Sequence, residues 1–266
     1  MASRHERMDL GWDLLEQGEF SGALEAAEAL LEEEPADPEA LFLAGSALFE
    51  MGAMSEAEPI LRQVLELEPD GMPARLTLGA LLHETCRFDD ALREVDASLE
   101  QDASEGYAHY LRGLVLDMLG RPGEADASFR EAQRIDPDQF PAAVALGAEE
   151  FDAALQEALS GLPPQFADRI RNLPILVEDV PAAALLATLE VPSPDILGLF
   201  VGTPLPERSH QDLPAAPEAI YLFKRNLERS CADREELVEQ IGVTLLHEIG
   251  HYLGMDEDDL DEAGYA

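Results

Sequence analysis

Residues 244–255 read TLLHEIGHYLGM, and here residue type and spacing together imply chemistry. On an α-helix, residues four apart lie on one face, so His247 and His251 can present two imidazole nitrogens to a single metal ion. Glu248 projects beside such an ion rather than onto it, where a carboxylate can take a proton from an activated water and act as general base. Zinc suits such nitrogen and carboxylate donors best, with iron, manganese or nickel as alternatives. The implied reaction is metal-assisted amide hydrolysis.

A catalytic zinc needs a third protein ligand. A turn at Gly254 would end the helix and bring the acidic run Asp256, Glu257, Asp258, Asp259 back toward the ion. Counted as His-Glu-x-x-His-x-x-Gly-x-x-Glu, Glu257 occupies the slot where metzincin-type peptidases carry their third ligand, and Asp256 is the second candidate. The string also arises by chance on surface helices, but its surroundings argue for a built helix. Asp233 and Glu236 read as a capping box, and Val238, Ile241, Leu245 and Ile249 give an apolar back face opposite Gln240, Thr244, His247 and His251. Gly250 would let another backbone approach closely.

From Arg7 the chain repeats with a period of 34 residues, without a gap, as far as Ala142. Gly11, Gly45, Gly79 and Gly113 fall in step. So do Leu14, Leu48, Leu82 and Leu116, then Ala23, Ala57, Ala91 and Ala125, then Ala40, Ala74, Ala108 and Ala142. Gly18, Gly52 and Gly120 share a column in which Cys86 is the exception, and Pro35, Pro69 and Pro137 share one in which Ala103 is. Small residues permit close helix contact, the glycines end the first helix of each pair, and the prolines stop the second. The pattern resembles the tetratricopeptide repeat. That resemblance implies a helical solenoid whose groove receives a protein or peptide partner, with Asp9, Asp13, Leu43, Ala47, Thr77, Leu81, Tyr110 and Leu114 as candidate groove residues.

Beyond Ala142 the register fails. Residues 148–159 read as a helix and 165–171 as a shorter one, while 173–177, 197–201 and 219–223 read as strands in a proline-punctuated region. Together with the HEIGHYLG helix, the order LPILVEDV, PDILGLFVGTPLPERS, IYLFKRNLER looks like the minimal zincin-like metallopeptidase domains of bacteria, over roughly residues 147–266. The expected fold class is an α-solenoid of repeat helix pairs, residues 1–142, followed by a small α+β zincin-like domain, residues 143–266. The resemblance implies His247, His251 and Glu257 as zinc ligands, Glu248 as base, and a short sheet on the motif helix with a closing helix after it. Zincins bind extended substrate at a sheet edge, so residues 220–223 are either such an edge or an interior strand. Tyr252 and Tyr265 are candidate oxyanion donors, with packing as the simpler role. Lys224, the only lysine, suits a salt bridge, while His83 and His109 have no motif partner and read as structural.

The 266 residues carry a net charge of −39, from 17 basic and 56 acidic side chains, which disfavours nucleic acid and anionic membranes as partners. Basic peptides and metal ions suit it better. No run approaches the ~20 apolar residues of a membrane span, and the charged start MASRHERMDLGWDLLEQ lacks a signal peptide's apolar centre, so a cytoplasmic location is expected. Cys86 and Cys231 are too few for a disulfide framework. Two functions follow. One is a zinc-dependent peptidase whose repeats recruit protein substrate. The other is a repeat-based adaptor whose zincin-like domain binds metal and cleaves little.

Overall fold

A computed structural model describes residues 3–189, 191–205, 218–256 and 258–260. The chain separates into two compact units, Met1–Phe140 with Glu190–Pro192, and Pro141–Leu189 with Ser193–Ala266.

The first unit is four antiparallel helix pairs: α1 (Arg4–Glu16) with α2 (Phe20–Leu31), α3 (Pro38–Glu50) with α4 (Met54–Leu67), α5 (Met72–Glu84) with α6 (Phe88–Gln101), and α7 (Gly106–Met118) with α8 (Pro122–Ile135). The glycine column explains the close pairing. A Cβ on Gly45 would stand 2.8 Å from Leu61 Cδ2, and one on Gly113 would stand 2.5 Å from the Phe129 ring. The alanine columns are buried between the helices, from Ala23 to Ala125 and from Ala40 to Ala108. Ala142, the last member of its column, is instead exposed and non-helical: the repeats close at Phe140, whose ring stacks on Tyr110 at 5.2 Å. Of the expected groove residues, Leu43, Ala47 and Leu81 are wholly buried, so they serve the core and no ligand.

Each first helix ends in the same hydrogen-bonded turn. After α1, Glu19 N–H donates to Leu14 O (2.9 Å) and Gly18 N–H to Leu15 O (3.1 Å), and the same pair of bonds recurs at Gly52, Cys86 and Gly120. The turn requires a left-handed residue. Gly18, Gly52 and Gly120 have φ of 79°, 74° and 69°, and Cys86 is forced to 57°.

In the second unit, α9 (Ala148–Gly161), α10 (Pro164–Ala167), β1 (Ile175–Glu178), α11 (Ala183–Leu186), β2 (Gly198–Val201), β3 (Ala219–Phe223), α12 (Lys224–Arg229) and α13 (Arg234–Leu253) follow in order. The sheet order is β1-β3-β2, with β1 parallel and β2 antiparallel to β3. The first strand begins later than its apolar pattern promised. Leu173 N–H turns back to Ile170 O, and Pro174 has no N–H to give, although its carbonyl accepts from Ile220 N–H at 2.9 Å. The central strand β3 is flanked on both sides, so residues 220–223 are interior and cannot receive a substrate strand. The core joins Phe151, Ala154, Leu155 and Ala158 of α9 to Ile220, Leu222, Leu237, Ile241, Leu245 and Ile249 of the sheet and α13. The expected closing helix is described only as a helical turn at 258–260. Among the described residues no helix is long and apolar enough to cross a membrane.

Holding a residue with a Cβ in the left-handed region costs about 1–2 kcal/mol, partly offset by the unfolded-state freedom of glycine. Cys86→Gly is therefore expected to stabilise the repeats by roughly 0.5–1 kcal/mol. The denaturation midpoint checks this: a midpoint equal to or below that of the parent contradicts it.

Candidate metal centre

The motif sits on α13, whose start is capped on both sides. Asp233 Oδ1 accepts from Glu235 N–H (2.8 Å) and Glu236 N–H (3.0 Å), while Glu236 Oε2 accepts from Ala232 N–H (2.7 Å), one residue earlier than in a standard capping box. Leu237, Ile241, Leu245 and Ile249 are wholly buried, with Val238 at the margin of the core. This back face fixes the rotation of α13 and hence the direction in which the histidines point.

His247 and His251 come together. Their Nε2 atoms are 3.0 Å apart and their rings are nearly perpendicular at 86°, so the nitrogens converge instead of stacking. Two nitrogens on one tetrahedral zinc would be about 3.3 Å apart. His251 Nδ1 lies 3.3 Å from Met255 O, a carbonyl that can only accept, so this contact favours the tautomer with the proton on Nδ1 and Nε2 available to a metal ion. These two nitrogens are thus spaced as two ligands of a zinc-like ion would be.

Glu248, between them in sequence, is buried, with 5% of its surface exposed. Its Oε2 accepts from the backbone N–H of Phe200 in β2 at 2.6 Å. Thr244, one turn earlier, is also buried, so it does not belong to an open polar face as its position in the helix pattern suggested. Its Cγ2 faces Gly198, where a Cβ would stand only 2.6 Å away.

After α13 the chain turns at Gly254, which has φ 85°, with Met255 N–H donating to Gly250 O at 3.0 Å. The turn is the one that ends the first helix of each repeat. The returning segment is fastened by Leu260, which is wholly buried over Gly250, so this glycine admits a side chain and not a backbone. Asp256 Oδ1 accepts from Asp259 N–H at 2.9 Å and so caps the turn. Glu257 and Tyr265 lie outside the described residues.

The remaining candidates have structural partners. The Tyr252 ring packs edge-on against Phe200 at 5.4 Å. Lys224 Nζ pairs with Glu228 at 2.8 Å and lies 5.8 Å from the centre of the Phe151 ring. His83 meets Phe88 edge-on at 5.7 Å, and His109 Nε2 is 3.0 Å from Ala103 O. Both cysteines are free, and burial pushes the Cys231 thiol pKa up.

Three supporting residues had no clear signal in the sequence. Glu228 is buried and accepts from Leu146 N–H at 2.7 Å, tying the segment ahead of α9 to α12. Asn226, buried, donates from Nδ2 to Pro194 O (2.9 Å) and Ile196 O (2.8 Å), fixing the approach to β2. Gly198 permits the contact of β2 with α13. A glycine within an apolar strand pattern was the one available hint.

Comparison with known proteins matches different families to the two parts of the chain. Residues 170–265 match the family described as zincin-like metallopeptidase, and residues 8–72, 48–115 and 106–139 match three tetratricopeptide-repeat families. No curated protein matches the chain. Among solved structures, a MamA (RS-1) double mutant is 25% identical with a TM-score of 0.46, covering 52% of this chain and 78% of its own. YrrB, described as a TPR protein with an unusual peptide-binding site, is 22% identical with a TM-score of 0.45, covering 51% and 70% respectively. The chain therefore joins tetratricopeptide repeats to a domain of the zincin-like metallopeptidase family.

Proposed function

We propose that the second unit is a zinc-dependent peptidase and that the repeats recruit its protein or peptide substrates. The observation that carries this reading is the convergence of the His247 and His251 Nε2 atoms, 3.0 Å apart, on the helix that also carries the buried carboxylate of Glu248. A purely structural zinc site has four protein ligands and no use for a general base.

His247 and His251 would hold the ion through Nε2, with Glu257 as the third ligand. Asp256 is the weaker choice, because its carboxylate already caps the turn at Asp259. Bound zinc supplies Lewis-acid polarisation of a water molecule and of the scissile carbonyl. Glu248 would take the proton from that water and return it to the leaving amine. Its seat against β2 keeps the carboxylate in one orientation through both transfers. The Met255 carbonyl keeps the His251 proton on Nδ1, so Nε2 stays a donor to metal. The acidic surface favours basic segments as partners of the repeats.

Protein purified without added metal is expected to contain about one zinc per chain, read by elemental analysis. His247→Ala/His251→Ala should lose it, and retention of zinc by that variant would place the site elsewhere. Glu257→Ala should weaken binding more than Asp256→Ala, and the reverse order would exchange the two assignments.

Glu248→Gln keeps the side-chain size but cannot accept the proton. It should slow peptide hydrolysis by on the order of a hundredfold or more while zinc content stays constant. Equal cleavage by the variant, or no zinc-dependent cleavage of a broad peptide and protein library by the parent, overturns the peptidase reading in favour of an adaptor. Removing residues 1–142 should reduce turnover of protein substrates more than that of short peptides, since remote contacts recruit substrate without touching the scissile bond.

A further inference from the structure

The carboxylate of Glu248 does not stand on α13 unaided. Strand β2 meets it directly at one backbone amide and packs on the same helix on either side of it. The Phe200 N–H donates to Oε2 at 2.6 Å, and the Phe200 ring packs against Tyr252 at 5.4 Å, one turn further along the same helix. At Gly198 a Cβ would meet Thr244 Cγ2 at 2.6 Å, Tyr221 O at 3.1 Å and Glu248 Cγ at 3.3 Å. The first of these distances is one that real Cβ atoms essentially never show, so any side chain at 198 must lift β2 from α13 or push Thr244 aside. In the antiparallel ladder Phe200 stands opposite Ile220, yet its N–H is spent on Glu248, so this amide faces the outer edge of the sheet. An edge amide ordinarily faces water.

We propose that Gly198 and Phe200 are positioning residues for Glu248: the absence of a side chain at 198 lets β2 settle on the helix, and the Phe200 amide then holds the carboxylate in its working orientation. The proposal rests on the reading of Glu248 as general base, but its geometric half stands apart from catalysis. The energetic logic is that of any buried carboxylate, which must be hydrogen-bonded to repay the water it has lost. Asn226 supports the same arrangement from behind, by gripping the carbonyls of Pro194 and Ile196 just ahead of β2.

Amide hydrogen exchange on the full chain reads the contact directly. In the parent, Phe200 N–H should exchange slowly for an edge position, and Glu248→Ala should speed it by about tenfold or more, the loss expected for a hydrogen bond to a charged acceptor. The amides of Tyr221 and Leu222 in the central strand should not change. Unaltered Phe200 exchange in Glu248→Ala overturns the proposal.

The second arm is a compensation test. Gly198→Ala should speed Phe200 exchange and lower kcat by at least about tenfold, with KM and zinc content held within about twofold, because the base is displaced while ligands and substrate contacts remain. Thr244→Ser deletes the Cγ2 that a Cβ at 198 would strike. The double variant Gly198→Ala/Thr244→Ser should therefore return both exchange and kcat to within about threefold of the parent. A double variant no better than Gly198→Ala alone counts against the proposal, as does a Gly198→Ala protein whose KM rises or whose zinc content falls by more than about twofold. Should the parent cleave nothing while both exchange results hold, the peptidase reading fails and the positioning of Glu248 by β2 stands.

Discussion

The second unit is organised around the burial of one charged group. A carboxylate loses much of its hydration at 5% exposure, and the interior tolerates it only where donors are already in place. For Glu248 a donor is the backbone of β2, and β2 can reach it only through Gly198, held in turn by Asn226 behind the strand. The apolar face of α13 sets the rotation from the other side. The sheet, α9 and α12 can be understood as the frame that lets a strand amide meet a helix carboxylate while two imidazoles remain at the margin.

How far the fold could be read from the chain depends on how local each cause is. The four glycine and alanine columns were legible because each repeat solves one packing problem in the same way, and the burial of Gly45 against Leu61 or Gly113 against Phe129 is the contact they encode. The histidine pair was legible because helical spacing alone brings residues four apart together. Asn226, Gly198 and Leu260 were not, since each acts on a partner that only tertiary structure brings near: Pro194 and Ile196, Thr244, and Gly250. The groove assignments failed at Leu43, Ala47 and Leu81 for a related reason. Periodicity shows that a face is apolar, but not whether it meets a neighbouring helix or a ligand.

The charge of the repeats has a similar local grammar. Arg75 with Glu94 and Arg112 with Asp96 join different helices, Arg4 with Asp37 and Arg7 with Glu33 tie α1 to the connection between α2 and α3, whereas Arg121 with Glu124 and Arg134 with Glu131 lie within one turn. The exposed pairs among them, such as Arg134 with Glu131, contribute little each. Their larger effect is to occupy cations in a chain that has few, so the field that remains comes from unmatched carboxylates.

The hydrogen bonds that fasten the second unit also set an order in time. In the repeats each helix packs on its sequence neighbours, so little chain entropy is lost before the contacts form. The second unit is closed instead by bonds across long loops: Leu146 to Glu228 spans 82 residues, Arg234 to Glu157 spans 77, and Phe200 to Glu248 spans 48. Slow, non-local closure therefore falls on the half that carries the histidines. The two imidazoles share a helix and can approach one another as soon as it coils, before β2 arrives to seat the carboxylate of Glu248. On the proposed reading of the histidine pair, a nascent chain would meet its metal ion before β2 docks, and the ion, once captured, would favour the helix on which the late strand must dock.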